Sequence, residues 1–181
     1  MTLALAIAFG AVGLVNVAIF PALEQGLQVD TSVLGILVPV QGAGALVGGI
    51  LSSRIVTALG EARAVGLGLA LMALGCVPAA FTSLVGVVAG MAVLGFGIPV
   101  IVVGFATLRQ RRTPATLQGR TSAAGNVAIN VPQTLASVFG VTVIAVVDYR
   151  VLVFAMAAAV LAAAVIATTG RRVVVDVPAE S

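Results

Sequence analysis

The chain contains no histidine, no lysine and no tryptophan, and only one cysteine and one tyrosine among its 181 residues. Without histidine, the commonest acid–base side chain and metal ligand is missing. A single cysteine, Cys76, forms no intramolecular disulfide and no thiolate cage. The Ser–His pair, the paired intramembrane aspartates and the metal sites of intramembrane proteases therefore cannot be assembled. No enzymatic activity, cofactor or metal is expected. Charge is almost as scarce, at 8% of residues, where a soluble domain carries roughly a quarter. Apolar residues make up 61% and the mean hydropathy is +1.24. So few polar side chains cannot cover a water-facing surface. The solvent of this chain is largely lipid, and the expected class is an all-α integral membrane protein.

What charge there is marks the loops, because a charge at the bilayer centre costs roughly 2.5–3.5 kcal/mol. Residues 1–23 are uncharged, and Glu24 and Asp30 follow. Residues 31–53 are uncharged up to Arg54, with Glu61 and Arg63 beyond. The uncharged interval 64–108 would reach about 67 Å as one helix, twice the ~30 Å hydrocarbon core. It must turn back once, and the polar pair Thr82-Ser83 is the natural place. Arg109, Arg111, Arg112 and Arg120 form the next loop, and Asp148-Tyr149-Arg150 a tight one. The spacing predicts six transmembrane helices within a domain at 1–170, at about 2–22, 33–53, 64–82, 84–107, 121–147 and 151–170. A polar tail, 171–181, follows.

An even number of spans puts both termini on one side. That side holds Arg54, Arg63, Arg109, Arg111, Arg112, Arg120, Arg171 and Arg172, and the other holds only Arg150. By the positive-inside rule the termini are cytoplasmic. The basic pI of about 10.5 is thereby explained by topology, with no nucleic-acid partner. The first span lacks a basic leader and is too long for a signal peptide, so it reads as a true helix. A chain that starts directly in a span leads one to expect a preceding segment. Abundant Ala, Val, Gly and Arg fit a GC-rich bacterial genome, hence a bacterial plasma membrane.

The third and sixth spans are almost wholly apolar and are expected to face lipid over much of their circumference. The fifth differs. Ser122, Asn126, Asn130, Gln133, Thr134 and Ser137 recur at spacings of three and four, which places them on one helical face. Asn16 on the first span and Gln41 on the second add further amides. Two chemistries fit buried amides in a membrane: interhelical hydrogen bonding, or the lining of a polar cavity. A lone Asn16 or Gln41 reads first as the former, and the stripe on the fifth span as the latter. The candidate cavity residues are thus Asn16, Gln41, Asn126, Asn130, Gln133 and Ser137. Gly44-x-x-x-Gly48 and Gly86-x-x-x-Gly90 are spacings that permit close helix contact. Pro39, Pro78, Pro99 and Pro132 are candidate bends. Gly42-x-Gly44 with Gly48 is no dinucleotide loop, because it lies inside a span with no preceding strand.

Two loops carry a family likeness. The stretch Leu108-Arg109-Gln110-Arg111-Arg112-Thr113-Pro114-Ala115-Thr116-Leu117-Gln118-Gly119-Arg120 resembles the loop between the tenth and eleventh helices of drug- and siderophore-exporting members of the major facilitator superfamily. Gly44 to Arg63 resembles that family's glycine-and-basic loop between the eighth and ninth helices. Here Ser53 stands where an acid is frequent, and Gly60-Glu61-Ala62-Arg63 comes later than the pattern. The resemblance implies the C-terminal six-helix half of a twelve-helix bundle, with the third and sixth helices outermost. It implies that the first, second, fourth and fifth helices border a substrate cavity or a partner half. It also implies that Arg54, Arg109, Arg112 and Arg120 serve as cytoplasmic gating or topology residues, Arg120 foremost. The function so implied is efflux of a small amphipathic molecule by alternating access. The partners would be the lipid bilayer, a small-molecule substrate and a second six-helix half, either another chain or a missing N-terminal half. The rival expectation is a non-transporting six-helix subunit or a truncated transporter remnant. Neither a filter loop nor a ring of charges points to a channel.

Overall fold

The computed structural model describes residues 6–7, 9–14, 17, 30–81, 83–144 and 149–169. Among these the regular structure is all helical. The first span contributes helical residues 6–7, 9–14 and 17, here called α1. There follow α2 (Leu34–Leu59), α3 (Glu61–Cys76), α4 (Leu84–Arg112), α5 (Gln118–Ile144) and α6 (Tyr149–Thr169). Short 3-10 turns precede α2 at Thr31–Val33, extend α3 at Val77–Ala80 and precede α5 at Ala115–Leu117. Among the described residues, four stretches are long and apolar enough to cross a membrane: Leu34–Leu59, Glu61–Ala80, Leu84–Arg111 and Arg150–Thr168.

Local chemistry fixes the turns between them. Asp30 accepts a 2.7 Å hydrogen bond from the Ser32 N–H at the start of the turn into α2. That bond, with a second from the Ser32 side chain, holds the Asp30 carboxyl below its ordinary range. One residue, Gly60, separates α2 from α3, and its φ of 79° is where glycine is at ease. Its N–H still reaches the Val56 carbonyl at 2.9 Å, while its own carbonyl receives Ala64 N–H at 3.0 Å. Glu61, in the first turn of α3, suits the positive end of the helix dipole. Ser83 caps α4 by accepting from Gly86 N–H at 3.3 Å. Thr113 is extended, as the following Pro114 demands, and so α4 stops at Arg112.

Helix α4 is the central element, and glycine lets two neighbours reach its backbone. Against α3 the contacts repeat every seven residues in antiparallel order. A Cβ on Gly75 would lie 2.7 Å from the Gly90 carbonyl oxygen, and one on Gly97 would lie 2.8 Å from that of Gly68. One on Gly104 would lie 3.3 Å from that of Glu61. On another face, Gly44 and Gly48 of α2 abut the backbone of Ala92 and Phe96, and Gly95 abuts Gln41. From Gly44 to Gly48 the residue met on α4 rises from Ala92 to Phe96, so the two helices run parallel. Of the pair Gly86 and Gly90, only Gly90 meets another helix; Gly86 lies beside Ser83 and Pro78 of its own turn.

The main core forms between α3 and α6. Val65, Leu69, Met72 and Cys76 meet Val153, Met156, Val160 and Ala164, and Ala11 of α1 joins them. The apolar α3 therefore differs from the lipid-facing expectation. It packs between α4 and α6, and of its large apolar side chains only Leu67 and Leu74 are exposed. Helix α2 is open over much of its surface, where Ile36, Val38, Leu46 and Ile50 point outward.

Leucine at Gly97 is expected to force α3 and α4 apart and to destabilise the fold by about 1–3 kcal/mol through overpacking. Leucine at Gly42, which has no atom within 4 Å of its would-be Cβ, is expected to be tolerated. Thermal melts of the two variants in detergent check this, and equal melting temperatures would refute the packing argument.

Candidate functional site

The polar residues of α5 occupy a sector of roughly 120° at 100° per residue, and α1 meets it at Gln133 and Ser137. Gly13 of α1 lies directly on the backbone of Gln133, because Gly13 has no side chain. There the Ser137 hydroxyl lies 3.1 Å from the Gly13 carbonyl and 3.0 Å from the Gln133 carbonyl, able to donate to either. Gly10 sits beside Pro132, and Gly140 beside Leu14 and Val17, so α1 and α5 run parallel. Gln133 and Ser137 are half-buried. Elsewhere in the sector, Asn126, Asn130 and Thr134 are exposed. The Asn130 amide donates 2.8 Å back to the Asn126 carbonyl of its own helix. Among the described residues, no hydrogen bond joins the side chains of Asn126, Asn130 or Gln133 to another helix. The stripe is thus part interhelical contact, through Ser137, and part open polar face. Next to that face lie exposed Val127, Val131, Leu135 and Val138. The surface as a whole is amphipathic and uncharged.

Gln41 is half-buried on α2, with its backbone against Gly95 of α4. Asn16 lies outside the described residues.

The arginines gather where α3 begins, α4 ends and α5 begins. Arg111 pairs with Glu61 at 2.9 Å across α4 and α3. Arg111 is 72% exposed and Glu61 19%, and a pair so open to water is worth at most about 1 kcal/mol. The half-buried Arg109 lies over the ring of Phe105, with its Cζ 5.6 Å from the centroid, and touches Gly125 of α5. Arg112 is the last residue of α4. Arg120 is exposed in the first turn of α5, the end of a helix where the dipole disfavours a cation. Helix stability therefore does not account for an arginine there. Arg54 is exposed near the end of α2. Sequence reading singled out neither Glu61 as a partner nor Gly125 as a seat. The first was accessible: Glu61 and Arg111 lie just outside the two ends of the uncharged interval, and one hairpin turn brings those ends together. The second required knowing which face of α5 meets α4.

Ser137→Ala is expected to cost about 0.6 kcal/mol and no more than about 1.7 kcal/mol, the range for hydrogen bonds between membrane helices. Asn126→Ala, on the open face, is expected to stay within about 0.5 kcal/mol. Unfolding in mixed micelles measures both. The reverse order would make Asn126 the interhelical bond and Ser137 the free group.

The whole arrangement is helices joined through glycine, an amphipathic uncharged face and, among the described residues, every arginine but Arg150 collected at one end. A family model, that of the Major Facilitator Superfamily, matches residues 1–180. No curated protein and no solved structure matches. The chain belongs to the Major Facilitator Superfamily, a family of secondary transporters, and is a multi-pass membrane protein.

Proposed function

We propose that the chain forms the C-terminal six-helix half of a bacterial exporter and moves a small amphipathic molecule across the plasma membrane by alternating access. The observation that carries this reading is the open half of the α5 sector. Asn126, Asn130 and Thr134 face outward, and the first two lack partners on other helices among the described residues. Amides left unpartnered in hydrocarbon are costly, so this face belongs against a water-filled path. Valines and a leucine beside the amides suit a substrate with both polar and apolar parts. One six-helix half supplies one wall of such a path. A second half, from another chain or from a preceding segment, supplies the other. Helix α5 has 27 residues, about 40 Å, and exceeds the hydrocarbon thickness. It joins the four apolar helices and α1 as a sixth span. The arginine-rich end is the cytoplasmic one, by the eight-to-one distribution of arginines. No carboxylate lies inside a span, so proton coupling, where it operates, draws its acid from the other half.

The test has two parts. Green fluorescent protein fused after residue 181 is expected to fluoresce, and alkaline phosphatase inserted at residue 148 to be active, as cytoplasmic termini and six spans require. Cells expressing the chain with a six-span partner are expected to expel amphipathic fluorescent dyes. Asn130→Leu with Gln133→Leu is expected to lower the initial rate about tenfold, equivalent to about 1.4 kcal/mol, at an unchanged amount of protein in the membrane. Efflux from the chain alone would point to a dimer of identical halves. No efflux in either setting would favour a non-transporting subunit or a remnant of a transporter.

A further inference from the structure

At the arginine-rich end of α4 and α5, a guanidinium occupies the place of a missing side chain. Phe105 and Arg109 are four residues apart on α4 and therefore lie on one face. The Arg109 Cζ is 5.6 Å from the Phe105 ring centroid, within range of cation–π attraction. Across from them on α5 is the buried Gly125. A Cβ at that position would lie 2.7 Å from Arg109 Nη1 and 3.7 Å from Phe105 Cε1. Phe105 is itself packed against the main core, which keeps the ring from turning away. The guanidinium is thus held between a fixed aromatic face and the bare backbone of the next helix.

This contact differs in kind from the others at the same end. Arg111, two residues further on, reaches instead to Glu61 of α3. Among the described residues no carboxylate pairs with Arg109. The α3–α4 and α2–α4 contacts are made by backbone at glycine and cannot be undone by rotating a side chain. The Arg109 contact can. Its release leaves no buried counter-ion behind, and Arg109 lies only three residues from the end of α4.

We propose that Arg109 is a releasable clasp between α4 and α5. Seated over Phe105 and against Gly125, it closes the cytoplasmic end of the cleft between the two helices, and swinging out into water it opens that end. Gly125 is the seat, and any side chain there displaces the guanidinium. Arginine suits the role better than lysine, because a planar guanidinium stacks on a ring and an ammonium does not. The placement at the cytoplasmic end and the use in transport rest on the function proposed above. The seat itself does not.

Thiol labelling of the full chain in membrane vesicles tests the clasp without any transport substrate. Cys76 is the natural cysteine and is buried, so background labelling is low. Ser122→Cys places a reporter three residues before Gly125, at a half-buried position. Arg109→Ala and Gly125→Ala are each expected to speed its reaction with a membrane-impermeant maleimide about fivefold in inside-out vesicles. That is the population shift corresponding to about 1 kcal/mol of attraction. Arg109→Lys is expected to fall between wild type and Arg109→Ala. The double variant is expected to react no faster than either single one, because both remove the same contact. The control is Ser53→Cys, exposed on α2, whose rate is expected to be constant in all backgrounds. Unchanged rates at Ser122→Cys, additive effects in the double variant, or a parallel rise at Ser53→Cys would each overturn the clasp. Acceleration confined to right-side-out vesicles would overturn its cytoplasmic placement. A chain that expels no dye yet shows the non-additive pattern would keep the clasp and lose the transport reading.

Discussion

The structure depends on how closely other backbones approach α4. In lipid there is no hydrophobic force to drive one apolar helix onto another, because acyl chains are as apolar as leucine. Close van der Waals contact has to supply the attraction, and glycine provides the proximity. Gly90, Gly97 and Gly104 recur at seven-residue intervals and admit the backbone of α3, while Gly95 on another face admits α2 at Gln41. From α2, Gly44 and Gly48 reach in the same manner. Because α4 is gripped on two faces, its last turn is fixed relative to the start of α3. That is why Arg111 finds Glu61 there, although an ion pair this exposed adds little of its own. The pair follows from the glycine packing and does not cause it.

Helix α5 is attached by different means. Its closest backbone approach is to α1 at Gly13, reinforced by the Ser137 hydroxyl. Toward α4 it meets a side chain, Arg109, at Gly125. The polar residues of α5 are consequently not equivalent, although their spacing in sequence makes them look so. Ser137 is used in holding α1. Asn126 and Asn130 stay open beside valine and leucine. An amphipathic face of this sort arises because α1 covers only part of the sector.

Much of this architecture is legible in the sequence, because charge is excluded from hydrocarbon at a cost of kilocalories. Glu61 and Arg63 at one edge of an uncharged interval, and Arg109 to Arg112 at the other, bracket a helical hairpin. A positive φ at Gly60 and a cap at Ser83 are local matters that residue type foretells. Hydropathy, by contrast, does not tell a helix that faces lipid from one that faces protein. Beyond its charged first turn, helix α3 is apolar and reads as peripheral, yet Ala64, Val65, Leu69 and Ala73 are wholly covered. The seven-residue glycine repeat was present to be read, at Gly68 and Gly75 and again at Gly90, Gly97 and Gly104. The four-residue spacing is the weaker signal, because Gly86 meets only Ser83 and Pro78 at the turn between α3 and α4. The seat at Gly125 was not legible at all, since it exists only once α4 and α5 are side by side.

These two kinds of contact bear on which parts of the bundle can change places during a transport cycle. Separating α3 from α4 would strip several glycine contacts at once, spread over two seven-residue intervals. Each interval spans about 10 Å of helix, so no small rotation releases them one at a time. The glycine contacts therefore hold α2, α3 and α4 together. Separating α5 from the end of α4 requires only that one arginine leave an aromatic face worth about 0.5–2 kcal/mol. Thermal motion supplies energies of that order, and a substrate needs only a modest preference for one state to shift the balance. A bundle held together this way has its releasable joint at the arginine-rich end of α5. The polar face carried by Asn126 and Asn130 begins at the residue next to that joint, so a movement of α5 there changes the face that a substrate would meet.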